Sequence, residues 1–266
     1  MNAGSPSNLT SSRLPRAMTP TGAYVLAVVC EADADRRTAT GLADRVLCRE
    51  VDWIEPEGLD GHRKWQGLVE GSSHLEWHQI RDHARARGLK AHGHFAGEPG
   101  APDAYATRLA LLLLATSPHR PDAAVLVRDS DGHQERKLGL EQARRERHWP
   151  FPVAIGFAYP KRECWVLAGF EPRTQPEEAS LMQLRQELGF DPRLQTEALS
   201  AKTPGALRDP KRVLSLLVRD DYNREQSCWV DGPLEDLTER GRLNGLVDYL
   251  EEVRTRLVPL FTGGEA

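Results

Sequence analysis

The stretch AAVLVRDSDGHQERK, residues 123–137, joins a short apolar run to two aspartates and then to a charged segment that favours helix. An apolar, valine-containing run of this length predicts a strand covered on both faces, as in a parallel sheet. Ligand sites in such sheets lie at the carboxyl ends of the strands. The sequence therefore places Asp129 and Asp131 at an edge where chemistry is usually carried out.

The segments around this strand predict an alternation of strands and helices. A strand over 24–30 is followed at once by Glu31 and then by a helix that extends to about Arg49. The later segments are a helix over 72–88, a short strand near 89–95, a buried helix over 103–117, a charged helix over 134–147 and a strand over 149–160. Such alternation is typical of a parallel α/β sheet.

We divide the chain into three parts. Residues 1–22 are rich in Ser, Pro, Thr and Gly and predict a flexible tail. Residues 23–160 predict the α/β domain, with an insert near 50–100. Residues 161–266 carry mainly helical patterns and are expected to form a C-terminal extension packed on that domain.

Composition excludes several classes of protein. With 39% hydrophobic and 28% charged residues, the 266-residue chain is typical of a globular protein. Its net charge of -4 excludes a polycationic chain, so any surface that binds nucleic acid must be local. The tail lacks the apolar segment of a secretory signal, and the longest apolar run, 109–115, is too short to cross a bilayer. We therefore expect a cytoplasmic protein that does not contact membranes.

The acidic residues at the two strand ends predict a metal site. If the strands over 24–30 and 123–128 are neighbours, Glu31, Asp129 and Asp131 converge at one edge of the sheet. Two carboxylates about 4 Å apart repel by roughly 4 kcal/mol at an effective dielectric constant of 20, so such a cluster needs a cation or stays partly protonated. Mg²⁺ suits the site because it prefers hard oxygen ligands.

These residues resemble a known family. A glutamate directly after the first strand, followed about a hundred residues later by an apolar strand that ends in D-x-D, resembles the TOPRIM catalytic domain of topoisomerases, primases and overcoming-lysogenization-defect nucleases. The segment KRECWVLAGF, residues 161–170, is similar to the E-A-W-L-L-A helix of small bacterial TOPRIM-like proteins of unknown function. The resemblance covers residues 24 to about 170 and implies a TOPRIM-like Rossmannoid parallel sheet.

The resemblance also implies roles for individual residues. Glu31 would be a metal ligand or general base, and Asp129 and Asp131 would be ligands of Mg²⁺ or Mn²⁺. Glu163 would bind a second metal ion or orient the substrate, and Lys161 would neutralise developing charge, a role for which Lys202 is a further candidate. The implied activity is a metal-dependent nuclease, acting on DNA rather than RNA, with a role in phage defence and with a partner protein such as an ATPase.

Each of these residues also has a structural interpretation. D-S-D-G is good turn chemistry, and Asp131 could cap the next helix. Glu31 could be a solvated loop residue, beside a helix capped by Asp33 or Asp35. Glu163 follows Pro160 in a first helical turn, where the helix dipole favours a carboxylate by about 0.3 to 1 kcal/mol.

Three other functions compete with the nuclease. The first alternative is a zinc site: His74 and His78, four residues apart on the helix predicted over 72–88, have a spacing that can chelate zinc. The D-x-D-G motif after a strand also resembles haloacid-dehalogenase-like phosphatases, although His133 replaces the expected threonine. The third alternative is a non-catalytic TOPRIM-like scaffold or subunit of a multi-protein complex. The four scattered cysteines indicate buried thiols in a reducing compartment rather than a zinc ribbon.

Overall fold

The computed structural model describes residues 22–91 and 99–263. The strands are β1 (Tyr24–Cys30), β2 (Arg63–Gln66), β3 (Leu75–Glu76), β4 (Ala123–Asp129) and β5 (Val153–Ala158). The helices are α1 (Asp33–Glu50), α2 (Ile80–Ala86), α3 (Ala101–Ala115), α4 (Glu135–Arg145), α5 (Arg162–Ala168), α6 (Gln175–Leu188), α7 (Pro210–Val218), α8 (Tyr222–Val230), α9 (Leu234–Arg240), α10 (Leu246–Arg256) and α11 (Val258–Thr262).

All strand pairs of the sheet are parallel, in the order β2, β1, β4, β5. β3 pairs with the carboxyl end of β1, on the side where β2 pairs with its amino end. The predicted fold class, an α/β protein with a parallel sheet and a helical C-terminal stretch, is therefore confirmed.

Side chains alternate between two cores because successive residues of a strand point to opposite faces. Leu26, Val28 and Val125 belong to one core, together with α1 and the C-terminal helices. Val29 and Leu126 belong to the other, with α2, α3 and α4. Both faces of the central strands are thus buried, which explains why β1 and β4 are almost continuously apolar.

The C-terminal helices cover the outer edge of β5 as well as one face of the sheet. Glu252 of α10 accepts a hydrogen bond from the backbone N–H of Ile155. The ring of Tyr249 stacks on Trp165 of α5, with 5.1 Å between centroids, and its hydroxyl donates to the carbonyl of Ala39 at 2.8 Å. The last helices therefore tie α1, α5 and the sheet together.

The region near 50–100 differs from the sequence-based prediction. It contributes β2 and β3 to the edge of the sheet, and neither strand was predicted. The helix expected over 72–88 begins only at Ile80, because Leu75 and Glu76 pair with β1 instead. The strand expected near 89–95 is not present over 89–91, and its remainder lies outside the described residues, as do residues 1–21 of the predicted tail.

Candidate active site

The two acidic strand ends lie side by side. β1 and β4 pair in parallel register, with Val29 opposite Leu126. Glu31 follows β1 directly, and Asp129 is the last residue of β4, so both residues lie at the same edge of the sheet. The prediction that these two strands are neighbours is confirmed.

Asp129 lies among other carboxyl groups. Its Oδ1 accepts a hydrogen bond of 2.9 Å from the backbone N–H of Arg162, at the start of α5. Burial raises the pKa of Asp129 well above its ordinary value, and the charges of Asp35, Glu163 and Glu31 raise it further. Three residues of the predicted site are therefore close together, and Asp35 joins them.

Asp35 is the residue of this cluster that the sequence analysis assigned only to helix capping. That assignment is correct in part, because its Oδ2 accepts a 2.9 Å hydrogen bond from the N–H of Ala32, the N-cap residue of α1. Its Oδ1 lies 3.6 Å from Nε of Arg162. Burial raises its pKa, and the charge of Glu163 adds to this effect. The available sequence signal was its position one helical turn after Glu31.

Asp131 is turned out of the strand by a left-handed backbone. Its φ is +48°, which Asp tolerates better than most residues, and Gly132 follows at +79°. The buried Ser130 fixes this turn, because its N–H donates to the carbonyl of Ala158. Asp131 does not cap the next helix, as α4 begins only at Glu135 with another residue as its N-cap.

Two arginines neutralise the carboxylates of Glu31 and Asp131. Nη1 of Arg128 lies 3.2 Å from Oε1 of Glu31, and Nη1 of Arg136 lies 2.8 Å from Oδ2 of Asp131. Burial raises the pKa of Glu31, while the charge of Arg128 opposes the shift and that of Asp131 reinforces it. Both guanidinium groups also approach Asp103, in the first turn of α3.

Glu163 points into the protein. The side chain is 8% exposed, and its Oε1 lies 3.4 Å from Nη2 of Arg162. Oε2 is buried without a hydrogen-bond partner among the described residues. An unpaired buried oxygen is costly, so Oε2 is a candidate ligand for a cation.

Arg162 connects the carboxylates of Asp35 and Glu163 to the C-terminal helices. Its guanidinium contacts Glu163 and Asp35, donates to Oγ1 of Thr38 at 3.1 Å, and forms a 2.6 Å ion pair with Glu225 of α8. The side chain is only 7% exposed. The sequence analysis missed this role, because nothing along the chain links residues 162 and 225.

The two candidate lysines lie close to residues of the candidate site. Lys161 occupies the N-cap position of α5, directly before Arg162, and is partly buried. Lys202 is exposed, and its amino end lies against Gly132, so that a Cβ at this glycine would be 3.2 Å from Nζ. Lys202 therefore contacts the loop that carries Asp131.

The two histidines do not share a helix face, so the predicted zinc-chelating helix is wrong. His74 precedes β3 and His78 lies in a 3-10 turn after it, with Glu76 between them. Nδ1 of His78 is 3.1 Å from Glu76, whereas Nε2 of His74 is 3.9 Å away.

The donor set at the strand ends suits a hard divalent cation, because it consists of carboxylate oxygens and includes the unpaired Oε2 of Glu163. Within residues 22–91 and 99–263, no three His, Cys, Asp or Glu side chains are already arranged to hold a metal ion. The present counter-charges are Arg128, Arg136 and Arg162. Glu31 and Asp131 would therefore have to exchange a guanidinium contact for a bound ion.

Comparison with known proteins gives no match: no family model, curated protein or solved structure is significantly similar to this chain. In the part of the chain that the structure describes, no helix has the length and apolar character needed to span a membrane.

Proposed function

We propose that this protein is a metal-dependent nuclease of the TOPRIM type that hydrolyses phosphodiester bonds, in DNA rather than RNA. One observation carries the proposal: carboxyl groups from two strand ends and two helices meet at one edge of the sheet, and the pKa values of Glu31, Asp35 and Asp129 are all raised. Burial is the largest cause of each shift, and repulsion among the carboxylates adds to it. Both effects favour the binding of a divalent cation. Glu31, Asp129 and Asp131 also follow the order of the TOPRIM motifs that they resemble.

The residues divide into ion-binding and substrate-binding groups. Glu31, Asp129 and Asp131 would hold Mg²⁺ or Mn²⁺, with Asp35 and Glu163 as additional ligands. A bound ion of this kind supplies Lewis-acid stabilisation of charge on phosphate oxygens and lowers the pKa of water. In the alternative role of general base, Glu31, whose raised pKa suits a proton acceptor, would take the proton of the attacking water.

Lys202 supplies positive charge beside this edge for a nucleic-acid backbone. Lys202 lies against Gly132, and Arg208 and Lys211 are exposed further along the same segment. Such cations neutralise phosphates without reading sequence. Lys202 thus offers local positive charge at the site, although the chain as a whole carries a net negative charge.

The proposal is tested by replacing the central carboxylates with amides of the same shape. We expect Asp129→Asn and Glu31→Gln to reduce Mg²⁺- or Mn²⁺-dependent cleavage of single- and double-stranded DNA and of RNA by about a hundredfold or more, with an unchanged circular dichroism spectrum. Asp82→Asn, in an exposed ion pair on α2, serves as the control. Equal cleavage by all four proteins, or none by the wild type, contradicts a nuclease at this site.

A non-catalytic scaffold is the second candidate, because the guanidinium groups of Arg128, Arg136 and Arg162 already neutralise part of the cluster. In that case the protein would serve a partner such as an ATPase and would bind neither Mg²⁺ nor Mn²⁺. The phosphatase alternative gains less support, because His133 stands where the motif of that family has a threonine.

A further inference from the structure

Arg128 and Arg136 bring two guanidinium groups to the acidic edge of the sheet. Arg128 is at the end of β4, and Arg136 is in the first turn of α4. Each side chain is 20% exposed, so both are partly accessible to solvent. They share Asp103 as a partner: Nη2 of Arg128 lies 3.3 Å from its Oδ1, and Nε of Arg136 lies 4.0 Å from its Oδ2.

The ring of Trp77 supports the side chain of Arg128. Its guanidinium lies 5.3 Å from the centroid of the Trp77 ring, a cation–π distance. Trp77 is held in turn, because its Nε1 donates to the carbonyl of Val127 at 2.7 Å. Nε of Arg128 is buried and has no hydrogen-bond partner among the described residues. The guanidinium group of Arg128 is thus held by its contacts with Trp77, Glu31 and Asp103.

Arg136 is anchored in a similar way. Its Nη1 donates both to the carbonyl oxygen of Asp129, at 2.9 Å, and to Oδ2 of Asp131, at 2.8 Å. The carbonyl contact does not depend on any carboxylate. Arg136 would therefore stay at the edge of the sheet even if Asp131 turned to another partner.

We propose that Arg128 and Arg136 form a clamp for a phosphate group of the substrate, and that Asp103 is the positioning residue that holds both. The inference rests on the proposed function and deepens it. Glu31 and Asp131, which now contact the two guanidinium groups, are the carboxylates assigned to the divalent ion. Once they bind that ion, the arginine donors facing them are free to bind phosphate oxygens, for which the planar guanidinium fork is well suited.

Asp103 is what keeps the clamp in place during this exchange. It is 15% exposed and contacts both arginines. Its negative charge by itself repels a polyanion, so electrostatics alone predicts that Asp103→Asn strengthens DNA binding. A positioning role predicts the opposite sign, because the two guanidinium groups lose their common anchor.

The test is the binding of a fluorescent single-stranded DNA oligonucleotide, measured by anisotropy at a fixed Ca²⁺ concentration over a series of KCl concentrations. Gel analysis verifies that the oligonucleotide remains intact. The proteins are the wild type, Arg128→Gln, Arg136→Gln and Asp103→Asn, with Arg85→Gln, an exposed arginine on α2, as the control. Calorimetric titration with Mn²⁺ is carried out on the same proteins.

We expect each of the two arginine variants to bind DNA roughly tenfold more weakly and to lower the slope of log K against log salt by about 0.7, the value for one lost contact to single-stranded DNA. Asp103→Asn should also weaken binding, all three variants should still bind Mn²⁺, and Arg85→Gln should match the wild type.

Wild-type slopes and affinities in Arg128→Gln and Arg136→Gln, together with normal Mn²⁺ binding, would overturn the clamp and leave the proposed function standing. Tighter DNA binding by Asp103→Asn would overturn its positioning role. A wild type that binds neither Mn²⁺ nor DNA overturns the clamp and the proposed function together.

Discussion

Asp129 shows how one partly buried carboxyl group makes stability depend on pH. Its folded-state pKa lies well above its ordinary value of about 3.9. Below that ordinary value, both the folded and the unfolded chain carry the proton. As the pH rises, the unfolded chain releases the proton first, so the free energy of unfolding falls until the folded-state pKa is reached. Glu31 and Asp35 act in the same direction.

Replacing Asp129 with Asn should therefore stabilise the metal-free protein at neutral pH. We expect a gain in the free energy of unfolding of about 1–3 kcal/mol at pH 7, because a desolvated charge surrounded by other carboxylates is removed, and almost no gain near pH 4. Thermal unfolding in the presence of a chelator, from pH 4 to pH 8, measures the difference. The same gain at every pH would show that the titration of Asp129 is not its cause.

A substitution of Glu163 tests whether its carboxylate binds an ion or only stabilises the first turn of its helix. We expect Glu163→Gln to slow metal-dependent cleavage by at least about tenfold, since an ion-binding oxygen is lost, and to leave the protein folded. The matched control is Glu178→Gln, an exposed glutamate in the first turn of α6. Urea unfolding and cleavage rates are measured for both. If Glu163→Gln keeps full activity, Glu163 only stabilises its helix.

At the scale of elements, the sequence predicted the long apolar strands and missed the short polar ones. β1 and β4 are buried on both faces, so their composition alone identifies them. β2 reads RKWQ and β3 only LE, and both depend on pairing with β1 rather than on any local pattern. The acidic strand ends were predictable for the same reason, whereas Arg128, Arg136 and Arg162 were not, because their partners come from distant segments.

The start of α10 packs tightly against β5 at Gly245, the N-cap residue of the helix. A matched pair of glycine substitutions tests this close approach. Gly245 has φ +84°, and a Cβ there would collide with the carbonyl oxygen of Phe157. Gly189, after α6, has φ +80° with nothing within 4 Å.

We expect Gly189→Ala to cost about 1–2 kcal/mol from backbone strain and Gly245→Ala roughly 1–3 kcal/mol more, because helix or strand must move. Urea unfolding measures both variants. Equal costs would mean that the helix and the strand approach each other less closely than the structure indicates.

At the scale of the whole molecule, the C-terminal helices belong to the candidate site as well as to the core. Through the ion pair of Glu225 with Arg162, helix α8 is linked to the carboxylates of Asp35 and Glu163. Helix α10 covers the edge of β5. The sequence predicted a helical C-terminal region but neither α8 nor α9 within it. Their short patterns carry little signal alone, and their positions follow from tertiary packing.

The central claim is that the carboxyl groups at one sheet edge bind a divalent cation. Calorimetric titration with Mn²⁺ tests it most directly, on the wild type, Asp129→Ala, Glu31→Gln and the Asp82→Asn control. We predict that the wild type and the control bind Mn²⁺ alike and that the other two variants bind at least about tenfold more weakly. Mn²⁺ binding of equal strength in all four proteins, or in none of them, would contradict the account.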